Sequence, residues 1–219
     1  ASLLKKYEQY GRMPEWELEN FDTRIMIGYH GASVIADAYA KGVRNFDAKL
    51  ALEAMLDASN EDKKELNDFK KLGYVAHDYI SRGYRESASM TLEYSYDDWT
   101  IAKFIKDLIK NGELDKSSYT DNLVAQYEKR SKNYLNIFDE ETGFFRPRFK
   151  DGSYMSPFDP AMLTHRNNGF TEANAWQYLW YVPHDVEKLI ELLGGQEAFI
   201  KKLDKLFTSK IKGRAPDVT

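Results

Sequence analysis

The sequence predicts an all-α fold in which successive helices with short connections build part of a helical toroid or solenoid. Three observations lead there. Apolar residues recur at helical spacing through most of the chain, stop signals such as Lys41-Gly42, Gly73 and Asn111-Gly112 close the periodic runs, and one excursion between Asp139 and Asn168 breaks the pattern. No period short enough for a repeat array is present. At 219 residues, 42% hydrophobic and 30% charged, the chain is long enough for one sizeable core and does not demand two domains.

Taken in order, residues 26–39 place Ile27, Val34, Ile35 and Ala38 at helical spacing before Lys41-Gly42. Residues 47–58 carry a dense apolar pattern from Ala48 to Leu56, and residues 61–71 read as a shorter charged helix ended by Gly73. Residues 87–109 form a long helix through Met90, Leu92, Trp99, Phe104 and Leu108. The next begins at Ser117 or Thr120 and runs to Phe138. Around 139–168, Glu141-Thr142-Gly143 and Lys150-Asp151-Gly152 flank Phe144 to Phe149, a short β-hairpin or extended excursion, and Pro157 and Pro160 follow in a loop. A loop this long in a helical protein suggests function. A helix over 170–181, a turn at Val182-Pro183 opening another, and a last helix over 196–207 complete the set, and 209–219 is an irregular tail.

Composition excludes several function classes. A net charge of -4, with both signs mixed along the chain, leaves no footprint for nucleic acid. Zero cysteines remove disulfides, thiolate metal sites and thiol nucleophiles. No apolar run reaches the length of a membrane span, and the Ala1 start has no basic, apolar leader, so any signal peptide lies outside the sequence.

Phe170-Thr171-Glu172-Ala173-Asn174-Ala175-Trp176-Gln177-Tyr178-Leu179-Trp180-Tyr181 sets one acid among five aromatics. On a helix Glu172, Trp176 and Trp180 share a face, and aromatic walls that desolvate a carboxyl favour its proton-holding form, as a general acid requires. Asn167-Asn168-Gly169 before it is loop chemistry, so Glu172 equally suits a helix first turn that complements the dipole. The spacing leaves both readings open.

Four runs then carry a resemblance: Gly28-Tyr29-His30 leading to Ile35-Ala36-Asp37-Ala38-Tyr39; Thr91-Leu92-Glu93-Tyr94 with Tyr96-Asp97-Asp98-Trp99; Glu172 with Asn174-Ala175-Trp176-Gln177-Tyr178; and Val182-Pro183-His184-Asp185 with Gly194-Gly195. In this order, across residues 26–207, they resemble the exo-α-mannosidases of glycoside hydrolase family 92. Ser95, Thr100 and Ala173 stand where Ala, Cys and Gly are expected, and none of these removes a group assigned to chemistry. The resemblance implies that residues 1–208 are part of an (α/α)6 catalytic toroid, with 209–219 leading to a missing C-terminal part. It also implies an N-terminal β-sandwich elsewhere in the full-length chain, and removal of terminal α-linked mannose, α-1,2 favoured, with inversion. Glu172 matches the general acid. A bound calcium ion, mannose-containing glycans as partners, and a secreted, periplasmic or cell-surface location in a bacterium follow in the same way.

An inverting glycosidase sets two carboxyls about 6.5–9.5 Å apart around the bond and a water. The family's base in an Asp-Asp motif, its Gly-Asn-Glu-Pro calcium region and its Trp-Asp-Thr sugar-subsite element are absent from the sequence. No metal ligands are therefore assigned in this chain, which is expected to be inert by itself.

Asp97 and Asp98, as helix neighbours, point about 100° apart and cannot face one substrate as an acid/base pair. Asp98 beside Trp99 suits a sugar hydroxyl and a stacking indole, or a contact between helices. His30 lines the same pocket or is a satisfied core histidine. Glu93 is a buried acid or pairs with Arg82 or Arg85. His184-Asp185 fits a helix first turn, and the acids at 139–141 and Asp151 lack a full calcium pattern. A carbohydrate-binding or interaction module, with Trp99, Trp176 and Trp180 as a stacking platform, is the alternative function, and a ligand-free helical scaffold with Glu172 salt-bridged is the third.

Overall fold

In the computed structural model residues 2–19, 21–80, 83–163 and 167–208 are described, and the tail at 209–219 lies outside them. The chain is mostly helical, as the periodicity requires. Its helices are α1 (Ser2–Tyr10), α2 (Gly31–Ala40), α3 (Ala48–Asn60), α4 (Lys64–Leu72), α5 (Ser87–Lys110), α6 (Ser118–Arg130), α7 (Ala175–Tyr178), α8 (Val186–Leu192) and α9 (Gln196–Thr208). Strands β1 (Glu17–Leu18) and β2 (Phe21–Asp22) pair antiparallel, as do β3 (Phe138–Asp139) and β4 (Phe144–Phe145). Two compact units emerge, Ala1–Leu66 with Glu93–Lys132 and Asn67–Leu92 with Asn133–Thr219; α4 and α5 have residues in both.

In the first unit α1 and α2 pack on α3. Ala51, Ala54 and Met55 of α3 are fully buried, as are Ile101, Ile105 and Leu108 of α5, and each large apolar side chain so buried contributes about 1.5–3 kcal/mol. Asp47 starts α3 by accepting the N–H groups of Lys49 and Leu50, both at 3.0 Å. Ser117 and Thr120, alternative starts in the sequence, act together: they form the capping box of α6. The expected single helix to Phe138 stops at Arg130 and resumes as a 3-10 turn over Asn133–Ile137.

Helix α1 and the β1–β2 hairpin went unrecognised in the sequence. Only Leu4 and Tyr7 of α1 are buried, too few for a periodic signal. The hairpin is organised by one carboxylate: Asp22 Oδ1 accepts the N–H groups of Glu15, Trp16 and Arg24 at 3.2, 2.9 and 3.2 Å.

The helix expected from residue 26 begins only at Gly31, because Gly28 adopts φ 86 and the Tyr29 N–H bonds Asp97 Oδ2 at 2.9 Å, outside any helical ladder. That break presents Tyr29 and His30 to α5.

The second unit buries a mixed aromatic and aliphatic cluster including Tyr134, Phe144, Phe145, Phe170 and Trp176. Both turn signals of the excursion are realised. The first closes β3–β4, pairing Phe138 with Phe145, and the second carries the Phe149–Ser153 turn, where the Phe149 N–H reaches the Ser153 carbonyl at 2.8 Å.

Candidate active site

Glu172 corrects the sequence reading of its own surroundings. The helix spans Ala175–Tyr178 alone, because Asn174 takes the N-cap and exchanges side-chain hydrogen bonds with Gln177 in a capping box, starting the helix three residues beyond Glu172. Glu172 lies before it at φ 48, so it neither shares a helical face with Trp176 nor sits in a first turn. The aromatic stripe is not around it. Trp176 is buried edge-on to Phe144, with ring centroids 4.8 Å apart, and Trp180 packs edge-on to Phe199.

The loop around Glu172 is unusual in another way. Asn168, Gly169, Phe170, Thr171, Asn174, Ala175 and Trp176 are buried and Ala173 is half-buried, while Glu172 is exposed and joins no ion pair among the described residues. A left-handed non-glycine residue costs on the order of 1–3 kcal/mol and persists where its surroundings over-determine it. Here Ala88 and Ser89 at the start of α5 donate their N–H groups to the Gly169 carbonyl at 3.0 and 3.2 Å. The Thr171 N–H reaches Ser89 Oγ at 2.9 Å, and Asn168 accepts from Phe170 N while donating to the Met162 and Ala173 carbonyls. Gly169 is obligatory: it has φ 84, and a Cβ there would lie 2.2 Å from Pro147 Cγ. The arrangement displays a single carboxyl from a rigid, buried loop.

The other candidates, His30, Asp98 and Trp99, belong to the first unit. His30 sits between two carboxylates, with Nδ1 2.8 Å from Asp97 Oδ1 and Nε2 2.9 Å from Glu93 Oε2. Burial opposes its charge, but the hydrogen bonds and fields of Asp97 and Glu93 outweigh that and raise its pKa to about 10, so the ring is an imidazolium that donates to both acids. Gly28 makes room for it, since a Cβ there would approach His30 Nε2 to 2.5 Å.

Asp98 is fully buried and both its oxygens are engaged: Oδ1 accepts from the Tyr29 hydroxyl and Oδ2 from Arg130 Nε, each at 2.6 Å. Burial pushes its carboxyl up to about 7 against the downward pull of Arg130. Asp97 and Asp98 thus serve different partners, as their helical spacing requires, and neither oxygen of Asp98 is open to a sugar hydroxyl. Trp99 is half-buried and stacks on Tyr96 at 6.1 Å. Arg85 donates to the His77 carbonyl, Glu93 is held by His30, and Arg82 lies outside the described residues.

Sequence reasoning missed Arg130, Ser89, Asn168 as a structural group, and Lys202. Arg130 ends a helix among exposed charges, so nothing local marks it as buried. Lys202 lies 3.8 Å from the Phe144 ring centroid and donates to the Gly143 carbonyl; burial, then Lys205, lowers its amine to about 8. Among the described residues no three His, Cys, Asp or Glu side chains are grouped to hold a metal ion, and no step is assigned through one.

The histidines give a pH prediction. His77, buried beside Arg85 and bonded to Ser87 Oγ at 3.0 Å, is lowered to about 4. Its contribution to stability is full above about 6.5, the unfolded value, and is lost as pH falls from there towards 4. That of His30 is full below about 6.5 and is lost as pH rises through 10, reduced in size by screening because its side chain is 39% exposed. NMR titration should find no charge change at either ring between pH 6 and 8; a midpoint near 6.5 at His30 would mean the two carboxylates do not hold it.

The sequence matches the glycosyl hydrolase family 92 catalytic domain over residues 1–218. It is 31% identical to an uncharacterized secreted glycosidase of Arthroderma benhamiae over 95% of this chain and 30% of that protein. Among solved structures, a family 92 α-mannosidase of Bacteroides thetaiotaomicron in complex with mannoimidazole is similar with TM-score 0.84 and 35% identity, over 96% of this chain and 27% of that one. An inverting mannosidase of Bacteroides thetaiotaomicron VPI-5482 follows at TM-score 0.80 and 32% identity, over 93% and 26%. The chain spans less than a third of the length of each of these relatives. Matched by this family over residues 1–218 and built of helices as its solved relatives are, this chain belongs to the catalytic domain of glycosyl hydrolase family 92.

Proposed function

We propose that this chain is part of the (α/α)6 catalytic domain of a longer exo-α-mannosidase, residues 1–208 forming the helical part and 209–219 leading onward. Glu172 is the general acid, protonating the glycosidic oxygen as the bond to a terminal α-linked mannose breaks, with α-1,2 linkages favoured. A water activated by a base elsewhere in the polypeptide attacks from the opposite face, which inverts the anomeric carbon. The carrying observation is that between Asn168 and Trp176 Glu172 alone is exposed, held at φ 48 in a loop whose neighbouring residues are hydrogen-bonded to α5 and to Asn168. The two solved mannosidases support the substrate class, and the secreted relative supports action outside the cytoplasm, in a secreted, periplasmic or cell-surface protein.

Calcium belongs to this proposal as a cofactor of the whole enzyme, with ligands beyond the residues described. The stacking-platform alternative is weakened, because a buried Trp176 has no open face. A scaffold reading needs Glu172 sealed in an ion pair, and it is exposed.

The test is release of β-mannose, read by NMR before mutarotation, from an α-1,2-linked mannobioside. The full-length gene product should turn over and lose activity on calcium chelation, and residues 1–219 alone should not. Retention of configuration would overturn the inverting mechanism, and turnover by residues 1–219 alone would overturn the division of the machinery.

A further inference from the structure

Resting on the reading of Glu172 as proton donor, we infer that Ser89 and Asn168 are its positioning residues, holding the loop in the left-handed conformation that presents the carboxyl. Neither touches the reacting atoms. Both are buried, Ser89 completely and Asn168 at 3% exposure. Their bonds fall on the two sides of Glu172: Ser89 Oγ takes the N–H of Thr171 at 2.9 Å, and Asn168 Nδ2 donates to the carbonyl of Ala173 at 2.7 Å. The same Asn168 carboxamide accepts from Phe170 N at 3.0 Å and donates to the Met162 carbonyl at 3.0 Å, so every heteroatom of this side chain is committed to the loop. Ser89 comes from a different part of the chain, on the first turn of α5, where its own N–H and that of Ala88 also fix the Gly169 carbonyl.

The loop has two left-handed positions, a glycine at 169 and the carboxyl-bearing residue at 172. With the Thr171 N–H tied to a helix and the Ala173 carbonyl to a buried amide, the chain is anchored one peptide beyond Glu172 on either side, which restricts the direction of its Cα–Cβ bond before substrate arrives. Misplacement of a reacting group by about 1 Å costs on the order of 10²-fold in rate.

The experiment uses the full-length enzyme and two substrates. An α-1,2-linked mannobiose loses a sugar alkoxide and needs the proton, whereas 2,4-dinitrophenyl α-mannoside loses a stable phenolate and does not. Ser89→Ala should lower kcat on the mannobiose about 10²-fold with KM little changed, leave the aryl mannoside rate nearly intact, and be rescued by Ser89→Thr. Asn168→Asp keeps the acceptor but turns the donor into an acceptor facing two carbonyls, and should give the same selective loss. The aryl mannoside rate doubles as the measure of folded enzyme. Equal loss on both substrates, or loss on neither, overturns the positioning role. Glu172→Gln measured alongside separates the two ideas: no selective loss there sinks the proton-donor reading and this one with it, while selective loss in Glu172→Gln without it in Ser89→Ala and Asn168→Asp sinks positioning alone.

Discussion

Glu172→Gln in the full-length enzyme is expected to lower kcat for α-1,2-linked mannobiose by about 10²–10⁴-fold, the usual contribution of a general acid, with KM nearly unchanged. Gln keeps the size and hydrogen-bonding reach of Glu but has no proton to give. Because residue 172 is exposed and joins no ion pair among the described residues, the change should leave stability within about 0.5 kcal/mol. The loop's own bonds run through Thr171 and Ala173, not through the side chain at 172. Steady-state kinetics with a thermal melt on the same sample decides it. A variant that folds normally and keeps its rate within a few-fold would remove Glu172 from the chemistry.

The second large effect is on stability. Arg130→Met is expected to destabilise the protein by about 3–5 kcal/mol, because it leaves a buried carboxylate without its counter-charge. Arg130 bonds Asp98 through Nε at 2.6 Å and the Ser59 carbonyl through a terminal nitrogen at 3.0 Å, so its loss also orphans a buried carbonyl. Asp98, at zero exposure, then relieves itself only by taking up a proton. Burial already raises this carboxyl to about 7. The sign follows: an acid whose folded pKa is raised is best tolerated at low pH and costs stability as pH rises above its unfolded value near 4. Urea unfolding of the variant should therefore give a smaller deficit at pH 5 than at pH 8, and adding Asp98→Leu should recover much of it. A deficit under about 1 kcal/mol with no pH dependence would show that the pair is not the sealed contact described.

Much of the secondary structure was legible because helix caps and stops are local. Asp47 and Ser117 announced α3 and α6, and Gly143 and Gly152 marked turns that the structure contains. The candidate site was legible only as a motif. Glu172 was identifiable by its neighbours in sequence, yet its surroundings were misread, since a capping amide at Asn174 stopped the helical period that the aromatics suggested. His30 and Asp98 were noticed as polar residues in apolar runs, but their partners lie 67 and 32 positions away, beyond any periodic signal.

The sequence by itself determined the helical class, the family, and the identity of the carboxyl on which the chemistry is proposed to depend, because these rest on residue type and short-range spacing. Tertiary structure alone decided which carboxylates are available. Asp97, Asp98 and Glu93 are consumed by Tyr29, His30 and Arg130, while Glu172 is left exposed by a loop whose backbone bonds are satisfied from α5 and from Asn168. Hydrogen-bond satisfaction of buried groups is a matter of what comes close in space, and the spacing of residues along the chain does not encode it.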